Sequence, residues 1–356
     1  MSSHPFGCKP MSVIRKIYQK FYSKCSPVVK GGLTGLVAKM PGKPSVKPCS
    51  VPVSERFPNG YKGALIISAD FEMAWAWRYA SSGTDPVDMG LRERGNVPAI
   101  LQMLDEYHVP VAWATVGHLF LESCICYAGR PHPELSRIPY FTNKVWRYES
   151  GDWYDHDPCT SVDQDTAWYA PDLVKAIMIA GAGHEIACHS FSHLDCSDIN
   201  CPAEVMEDEI RECVRLAKEF GVELKSMVFP GGTNGNYDIL KKYGFTNVRL
   251  NTSYDMYYPE KDSSGLWLLP SSSSIDNHGF GWSAKKYQEY YARYLCKALS
   301  GKTVCHLWFH PSIDSFCLNE ILPAVLSEVR KRADEGELWI TTMAEMADFC
   351  ERNNVS

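Results

Sequence analysis

The run Ala64-Leu65-Ile66-Ile67 has no polar side chain, and it leads directly into Ser68-Ala69-Asp70-Phe71-Glu72. A short unbroken apolar run predicts a strand buried on both faces, over Ala64 to Ser68, ending in two carboxylates. Period-3.6 and strand-like patterns then alternate. They predict a helix over Asn96–Tyr107, a strand over Val109–Val116 and a helix from Leu119 onward. Residues 127–167, rich in Tyr, Trp, His, Asp and Pro, break this rhythm. An irregular stretch of that length is usually a functional loop or lid. After it, helices over Pro171–Gly181, Ala203–Phe220, Asn236–Tyr243, Ser283–Leu299 and Asn319–Glu335 alternate with strands. The strands are expected at His184–Cys188, Lys225–Phe229, Thr246–Leu250, Leu266–Pro270, Thr303–Phe309 and near Leu338–Thr341. About seven or eight β/α units predict an α/β fold with parallel strands, closed as a distorted (β/α) barrel of about seven units. In such folds the C-terminal ends of the strands carry the chemistry.

Upstream of the barrel the pattern changes. Val13, Ile14, Ile17 and Phe21 fall on one helical face, with Arg15, Lys16, Lys20 and Lys24 on or beside the other. Such a basic amphipathic segment, residues 11–24, suits peripheral attachment to an anionic membrane surface, although a helix packed on the body would look the same. Pro, Ser and Lys from Pro41 to Pro58 read as an extended linker. The division expected is therefore 1–60 as a basic extension and linker, and 61–350 as the barrel, with the insertion at 127–167.

Charge sharpens this division. Residues 1–54 hold nine Lys or Arg and no acid, which leaves 27 of the 36 basic residues against all 42 acidic ones in the remainder. A body with a net charge of −15 lacks the clustered positive charge that phosphate contacts need, so nucleic-acid binding is excluded as a function class. No stretch approaches eighteen consecutive apolar residues, and the N-terminus lacks an apolar run followed by a small-residue cleavage site. The 14 cysteines are scattered without a framework of spacings, which fits reduced thiols. Together these features predict a cytoplasmic protein, peripheral to the inner membrane face if the arm engages lipid.

The chemistry-bearing residues follow the predicted strands. Asp70 and Glu72 follow the first; His189 and His193 follow His184–Cys188; Pro230-Gly231-Gly232 follows Phe229; His310 follows Leu307-Trp308-Phe309. Two imidazoles four apart can face one ion from a helical turn or from a loop entering a helix. A carboxylate as third ligand would leave one position open for water. Any one of these residues alone would read as a satisfied core histidine or a helix-capping acid. Their joint placement at strand C-terminal ends favours a site.

Gly183-His184-Glu185-Ile186-Ala187-Cys188-His189-Ser190-Phe191-Ser192-His193 resembles the GHEIxxHxxxH stretch of the NodB-homology polysaccharide deacetylases, of the carbohydrate esterase family 4 type. Ser68-Ala69-Asp70-Phe71-Glu72 resembles the first motif of an Asp-x-Glu branch, where the main branch has adjacent aspartates in Thr-Phe-Asp-Asp-Gly. Pro110 to Gly117 resembles the second strand, Leu307-Trp308-Phe309-His310-Pro311 the late motif with the catalytic histidine, and Gly336 to Met346 the final strand. The resemblance spans roughly Gly63 to Phe349. It implies a metal-dependent hydrolase that removes an N-acetyl group from an amino sugar in a glycan or glycan precursor, soluble or lipid-linked. It also implies a divalent metal, Zn²⁺ or its substitute Co²⁺, held by Glu72, His189 and His193. Asp70 is then the base and His310 the acid, with the two carboxylates interchangeable at this stage. Trp75, Pro230, Gly231, Gly232 and Trp308 are the residues expected at the substrate, with Trp77 and Tyr237 as further aromatic candidates.

The chain departs from the family at the third motif. Val228-Phe229-Pro230-Gly231-Gly232 lacks the arginine that holds the base aspartate, which leaves Arg78 and Arg249 as replacements. That gap keeps two other readings open, a hydrolase of another non-peptide amide on the same fold and a carbohydrate-binding module without catalysis.

Overall fold

The structure, a computed structural model, describes residues 44–353. The predicted amphipathic arm at 11–24 lies outside these residues. Residues 44–60, expected as linker, belong to the body. Val46 bridges Met256, and the Arg56 guanidinium donates to the carbonyls of Val51, Cys49 and Lys302. Three carbonyl acceptors for one buried cation fix this segment, so the domain boundary falls near Pro44 rather than at 60.

β1 (Gly63–Phe71) is the axis of the sheet and is buried along its whole length. It runs three residues further than the apolar run predicts, because parallel pairing with β2 (Ala112–Thr115) continues through Phe71. Around it come α1 (Pro86–Glu106), α2 (Pro171–Ile179), β3 (Glu185–Cys188), α3 (Ala203–Glu219), β4 (Ser226–Val228), α4 (Tyr237–Lys242) and β5 (Asn247–Leu250). The chain continues through β6 (Glu260–Lys261), β7 (Trp267–Pro270), β8 (Ser273–Ser274), α5 (Ala284–Gly301), β9 (Val304–Phe309), α6 (Leu322–Asp334), β10 (Leu338–Thr341) and α7 (Met343–Arg352).

The strand order is β6-β7-β5-β4-β3-β2-β1-β9-β8, with β10 also on β1, and every pair but β6–β7 is parallel. Because β7 pairs with β5 while β8, two residues later, pairs with β9, one segment crosses from one side of the sheet to the other. The N–H of Ser271 reaches the Leu250 carbonyl (2.7 Å) and that of Ser272 the His306 carbonyl (2.7 Å), so the curled sheet closes as the distorted barrel expected.

Period-two alternation sorts β1 into two faces. Leu65, Ile67, Ala69 and Phe71 join the core shared with the helices. Ala64 and Ile66 face inward with Ala112, Ala114, Val228, Leu269 and Val304, where Met343 and Met346 of α7 plug the lower end. A Thr342–Glu345 capping box starts α7 there. Continuing up the same face, Ser68, Asp70 and Glu72 come next, so the site occupies the top of the ring above an apolar floor.

Two predicted elements differ. The helix over Asn96–Tyr107 starts ten residues earlier, where Asp85 accepts from the N–H groups of Val87 and Asp88 and Pro86 occupies the first turn. The helix expected from Leu119 is only a turn at Gly117–Phe120. The N–H groups of Gly117 and His118 are taken by the carbonyls of Ser190 and Phe191, which ties this turn to the histidine loop. The insertion is compact, with two-residue ribbons at Cys126–Tyr127/Arg130–Pro131 and Phe141–Thr142/Arg147–Tyr148. Trp146, Tyr148, Trp153 and Tyr154 are buried in it. No helix of the described residues is long and apolar enough to cross a membrane.

Candidate active site

Glu72 sits one residue beyond β1, buried, with Oε2 3.2 Å from His189 Nε2 and 3.0 Å from His193 Nε2. Its Oε1 lies 3.4 Å from Nε2 of His310, which follows β9 and is partly exposed. The carboxylate is positioned from behind by Glu93 of α1, whose Oε1 accepts the N–H of Glu72 (2.9 Å) and of Met73 (3.2 Å). Burial, aided by the Glu72 charge, pushes the Glu93 carboxyl well above the usual range. Burial would raise Glu72 as well, but His310 and His193 beside it outweigh this and hold it well below the usual range.

The two histidines come from the loop after β3 rather than from a helical turn. Ser190 (φ 56°) and His193 (φ 55°) are left-handed, which folds the loop back and brings the two ring centroids to 5.0 Å. Buried Glu209 of α3 holds the loop, accepting from the Ser192 N–H (2.8 Å), the Ser192 hydroxyl (2.6 Å) and the Tyr154 hydroxyl (2.8 Å). His189 Nδ1 donates to the Val228 carbonyl at 2.7 Å. That bond fixes the ring's orientation and turns Nε2, the atom left for a metal, toward Glu72. Glu72 Oε2 and the Nε2 atoms of His189 and His193 thus converge on one buried point. The donor set Glu72, His189 and His193, buried and mutually within 4.8 Å, therefore fits a divalent ion.

Asp70 is held differently. Arg249, at the upper end of β5, donates to both of its oxygens (2.6 and 2.7 Å) and to the Ser68 hydroxyl (2.9 Å). Buried His306 meets the same hydroxyl at 2.9 Å. Burial alone would raise the Asp70 carboxyl, but Arg249 lowers it below the usual range, so it stays ionised. Arg249 thus takes the place of the motif arginine. Arg78 does not: it lies between the rings of Trp75 and Trp153, 4.5 Å from each centroid, and donates to the Ser192 carbonyl, with burial pushing it down to about 10.

A cleft of about 440 Å³ opens above these groups, lined by Asp70, Glu72, His193, Arg249, Trp308 and His310, and on the far wall by Trp77, Gly231 and Gly232. Of the residues expected at the substrate, Trp75 does not reach it. Trp75 is 1 % exposed, its Nε1 donates to the Trp168 carbonyl and its ring packs on His118, so it is core. Pro230 is buried below the turn it starts, and Tyr237 stacks on Phe229. The Gly232 N–H is committed to the Phe229 carbonyl (3.0 Å), which leaves Gly231 as the turn's donor toward the cleft. Gly231 (φ +57°) is required here, because a Cβ would lie 2.7 Å from the Trp146 ring. Trp146 is the insertion's contribution, 5.6 Å from the His193 ring, with Lys144 and Val145 completing the lip. Nothing in the local sequence singles out Glu93, His306 or Trp146. Glu209 did leave a signal: an acid within the apolar stripe of Val205, Met206, Ile210 and Cys213.

Residues 86–248 match the family model described as polysaccharide deacetylase. This segment contains His189 and His193, whereas Asp70, Glu72 and His310 lie outside it. No curated protein sequence matches the chain. Among solved structures, a candidate polysaccharide deacetylase from Mycobacterium smegmatis superposes with a TM-score of 0.60 at 16 % identity, covering 89 % of this chain and 96 % of that one. A second candidate polysaccharide deacetylase, from Pseudomonas aeruginosa PAO1, gives 0.57 at 11 % identity with 84 % and 94 % covered. Puue allantoinase gives 0.56 at 14 % identity with 85 % and 95 % covered. At these identities the likeness establishes a common fold.

Proposed function

From the match of residues 86–248 to the polysaccharide deacetylase family model, we propose that the chain is a metal-dependent hydrolase that removes an N-acetyl group from an amino sugar. The observation that carries this reading is Glu72 Oε2 between the Nε2 atoms of His189 and His193, beside an aspartate clamped by arginine. Glu72, His189 and His193 would hold the ion. A bound divalent ion lowers the pKa of water from ~16 toward ~7 and polarises an acyl oxygen.

The chain's own groups do the rest. Asp70, ionised and oriented by Arg249, accepts the proton of the attacking water; bidentate donation leaves each of its oxygens a further lone pair. His310, 4.0 Å from Asp70 and open to the cleft, donates a proton to the departing sugar nitrogen. Trp308 and Trp77 offer apolar faces to the sugar ring, and the Gly231 N–H a dipole to the developing oxyanion. The Asp-x-Glu arrangement thereby splits the work, with Glu72 as ligand and Asp70 as base.

The lip formed by Ser81, Ser82, Lys144 and Val145 keeps the cleft small, which favours a short substrate, such as a monomeric or lipid-linked precursor, over the middle of a long polymer. The same confinement supports a second reading, hydrolysis of a small cyclic amide, the kind of ring that the name allantoinase implies for the structural neighbour. Acetate release from a panel of nucleotide-linked and lipid-linked N-acetyl sugars, with and without chelator, tests the first reading. Chelator-sensitive acetate supports it, and ring opening of a cyclic amide without acetate release replaces it by the second.

A further inference from the structure

A second group of ligand-type side chains lies on the other side of Trp75, at the root of the insertion. His118 belongs to the turn after β2, Cys124 follows that turn, and His132 and Asp157 come from the insertion. One donor atom from each lies within 4.8 Å of the others. Asp157 Oδ2 is 3.1 Å from His118 Nε2 and 2.8 Å from His132 Nε2, and Cys124 Sγ is 3.4 Å from both carboxylate oxygens. His118 is completely buried, and His132 and Asp157 nearly so.

The hydrogen bonding at this cluster does not close. His118 Nε2 has no hydrogen-bond partner despite its approach to Asp157, while its Nδ1 faces the Trp168 carbonyl at 3.3 Å. Either neutral tautomer therefore sets a lone pair against an acceptor oxygen, the carboxylate in one case and the carbonyl in the other. A doubly protonated ring would aim an Nε2–H at Asp157, but Nε2 makes no hydrogen bond there. A cation among the four donors removes the conflict: Nδ1–H donates to Trp168, and the Nε2 lone pair turns inward, the arrangement metal-bound histidines adopt.

We propose that His118, Cys124, His132 and Asp157 form a second metal centre, a closed four-ligand Zn²⁺ site that staples the insertion to the end of β2. Two imidazoles, a thiolate and a carboxylate suit tetrahedral Zn²⁺, and four protein donors leave no open position for water, so the site is structural. Ion binding releases the Cys124 proton to solvent as the sulfur becomes a ligand. The four residues span 118–157, a stretch whose regular structure is limited to short ribbons. That stretch carries Lys144 and Val145 to the cleft and packs Trp146 against His193. The staple thus holds the wall that packs on His193, and it is independent of the reading given to the first site.

Cobalt separates the two centres, because the first has only oxygen and nitrogen donors. The full chain, stripped with chelator and reloaded with Co²⁺ under reducing conditions, is expected to bind one equivalent per centre and to show a near-ultraviolet thiolate-to-cobalt absorption. That absorption is expected to persist in His189→Ala and to vanish in Cys124→Ser, each variant losing one equivalent. Chelation of the wild type is expected to speed proteolysis within 122–168 at least about tenfold, a readout that needs no variant to fold. No thiolate absorption in the Co²⁺-loaded wild type, or an absorption that survives Cys124→Ser, overturns the proposal.

Discussion

Replacing Arg249 by Met keeps the bulk of the side chain and removes the guanidinium that clamps Asp70. Asp70 and Arg249 are 6 % and 9 % exposed at their side chains, so solvent screening offers little relief. Breaking a buried pair by deleting one partner costs about 3–5 kcal/mol, because the surviving charge is left desolvated. The cost has a ceiling, since Asp70 can take a proton instead. Burial is the largest influence on its carboxyl, and with Arg249 gone it acts with less opposition and moves the carboxyl up. Each unit of that rise corresponds to about 1.4 kcal/mol.

The pH dependence gives the sign. In the wild type the folded Asp70 titrates below its unfolded value, so its contribution to stability is full above that value and is lost as pH falls through the folded one. In Arg249→Met the folded value lies above the unfolded one, so stability is lowest at neutral pH and recovers as acid protonates the buried carboxyl. Urea melts at pH 7 and pH 5, with chelator in both so that ion binding does not add to the midpoint, should show a gap of about 3 kcal/mol or more at pH 7 that narrows at pH 5. Arg249→Lys, which keeps the charge but not the two-pronged geometry, should fall between. Equal midpoints at pH 7, or a gap that does not change with pH, would refute the clamp as the determinant of Asp70 ionisation.

The two carboxylates should separate in the same protein. Asp70→Asn should keep the first-site metal and lose about 10²- to 10⁴-fold in turnover, whereas Glu72→Gln should lower metal content; the reverse pattern in elemental analysis would exchange their roles. Glu209→Ala strands the Ser192 N–H, the Ser192 hydroxyl and the Tyr154 hydroxyl, each worth about 1–3 kcal/mol when buried and unsatisfied, so thermal stability and metal retention should fall together. A stable variant with full metal would show that the loop holds itself. From the sequence alone, the basic face at 11–24 should bring the full chain down with anionic liposomes at low salt and release it at high salt. Liposome sedimentation that does not change on removing residues 1–43 would dismiss the arm as an anchor.

The strand ends were legible because the barrel rule depends only on order along the chain, and the sequence states that order directly. β1, β3, β4 and β9 each deliver a ligand-type or turn residue where an apolar run stops. The side chains that hold those residues were not legible. Arg249 and Arg78 look alike in sequence, each near other aromatic or apolar residues, and only the closing of the ring brings β5 across from β1 so that Arg249 meets Asp70. Trp75 was misjudged for a related reason. A tryptophan three residues past Glu72 reads as a cleft residue, yet the buried turn at Met73–Ala76 directs it beneath the site against His118 and Trp168. The helix expected from Leu119 failed because the sequence does not show that the Gly117 and His118 amides are used by a loop some seventy residues away.

Two carboxylates one residue apart come to serve different ends because the strand stops between them. Asp70 is still in β1, and Glu72 is just outside it; alternation puts both on the inner face, but about 6.6 Å of rise separates their positions. At the lower level β5, across the ring from β1, brings the Arg249 guanidinium, and Asp70 becomes a fixed anion with spare lone pairs. At the upper level the neighbours are loops carrying imidazoles, and Glu72 meets the rings of His189, His193 and His310. Two adjacent carboxylates would point to opposite faces if both stayed in the strand. The Asp-x-Glu spacing keeps both groups inside the ring without bending β1, and the longer glutamate side chain spans the extra distance to the histidine loop.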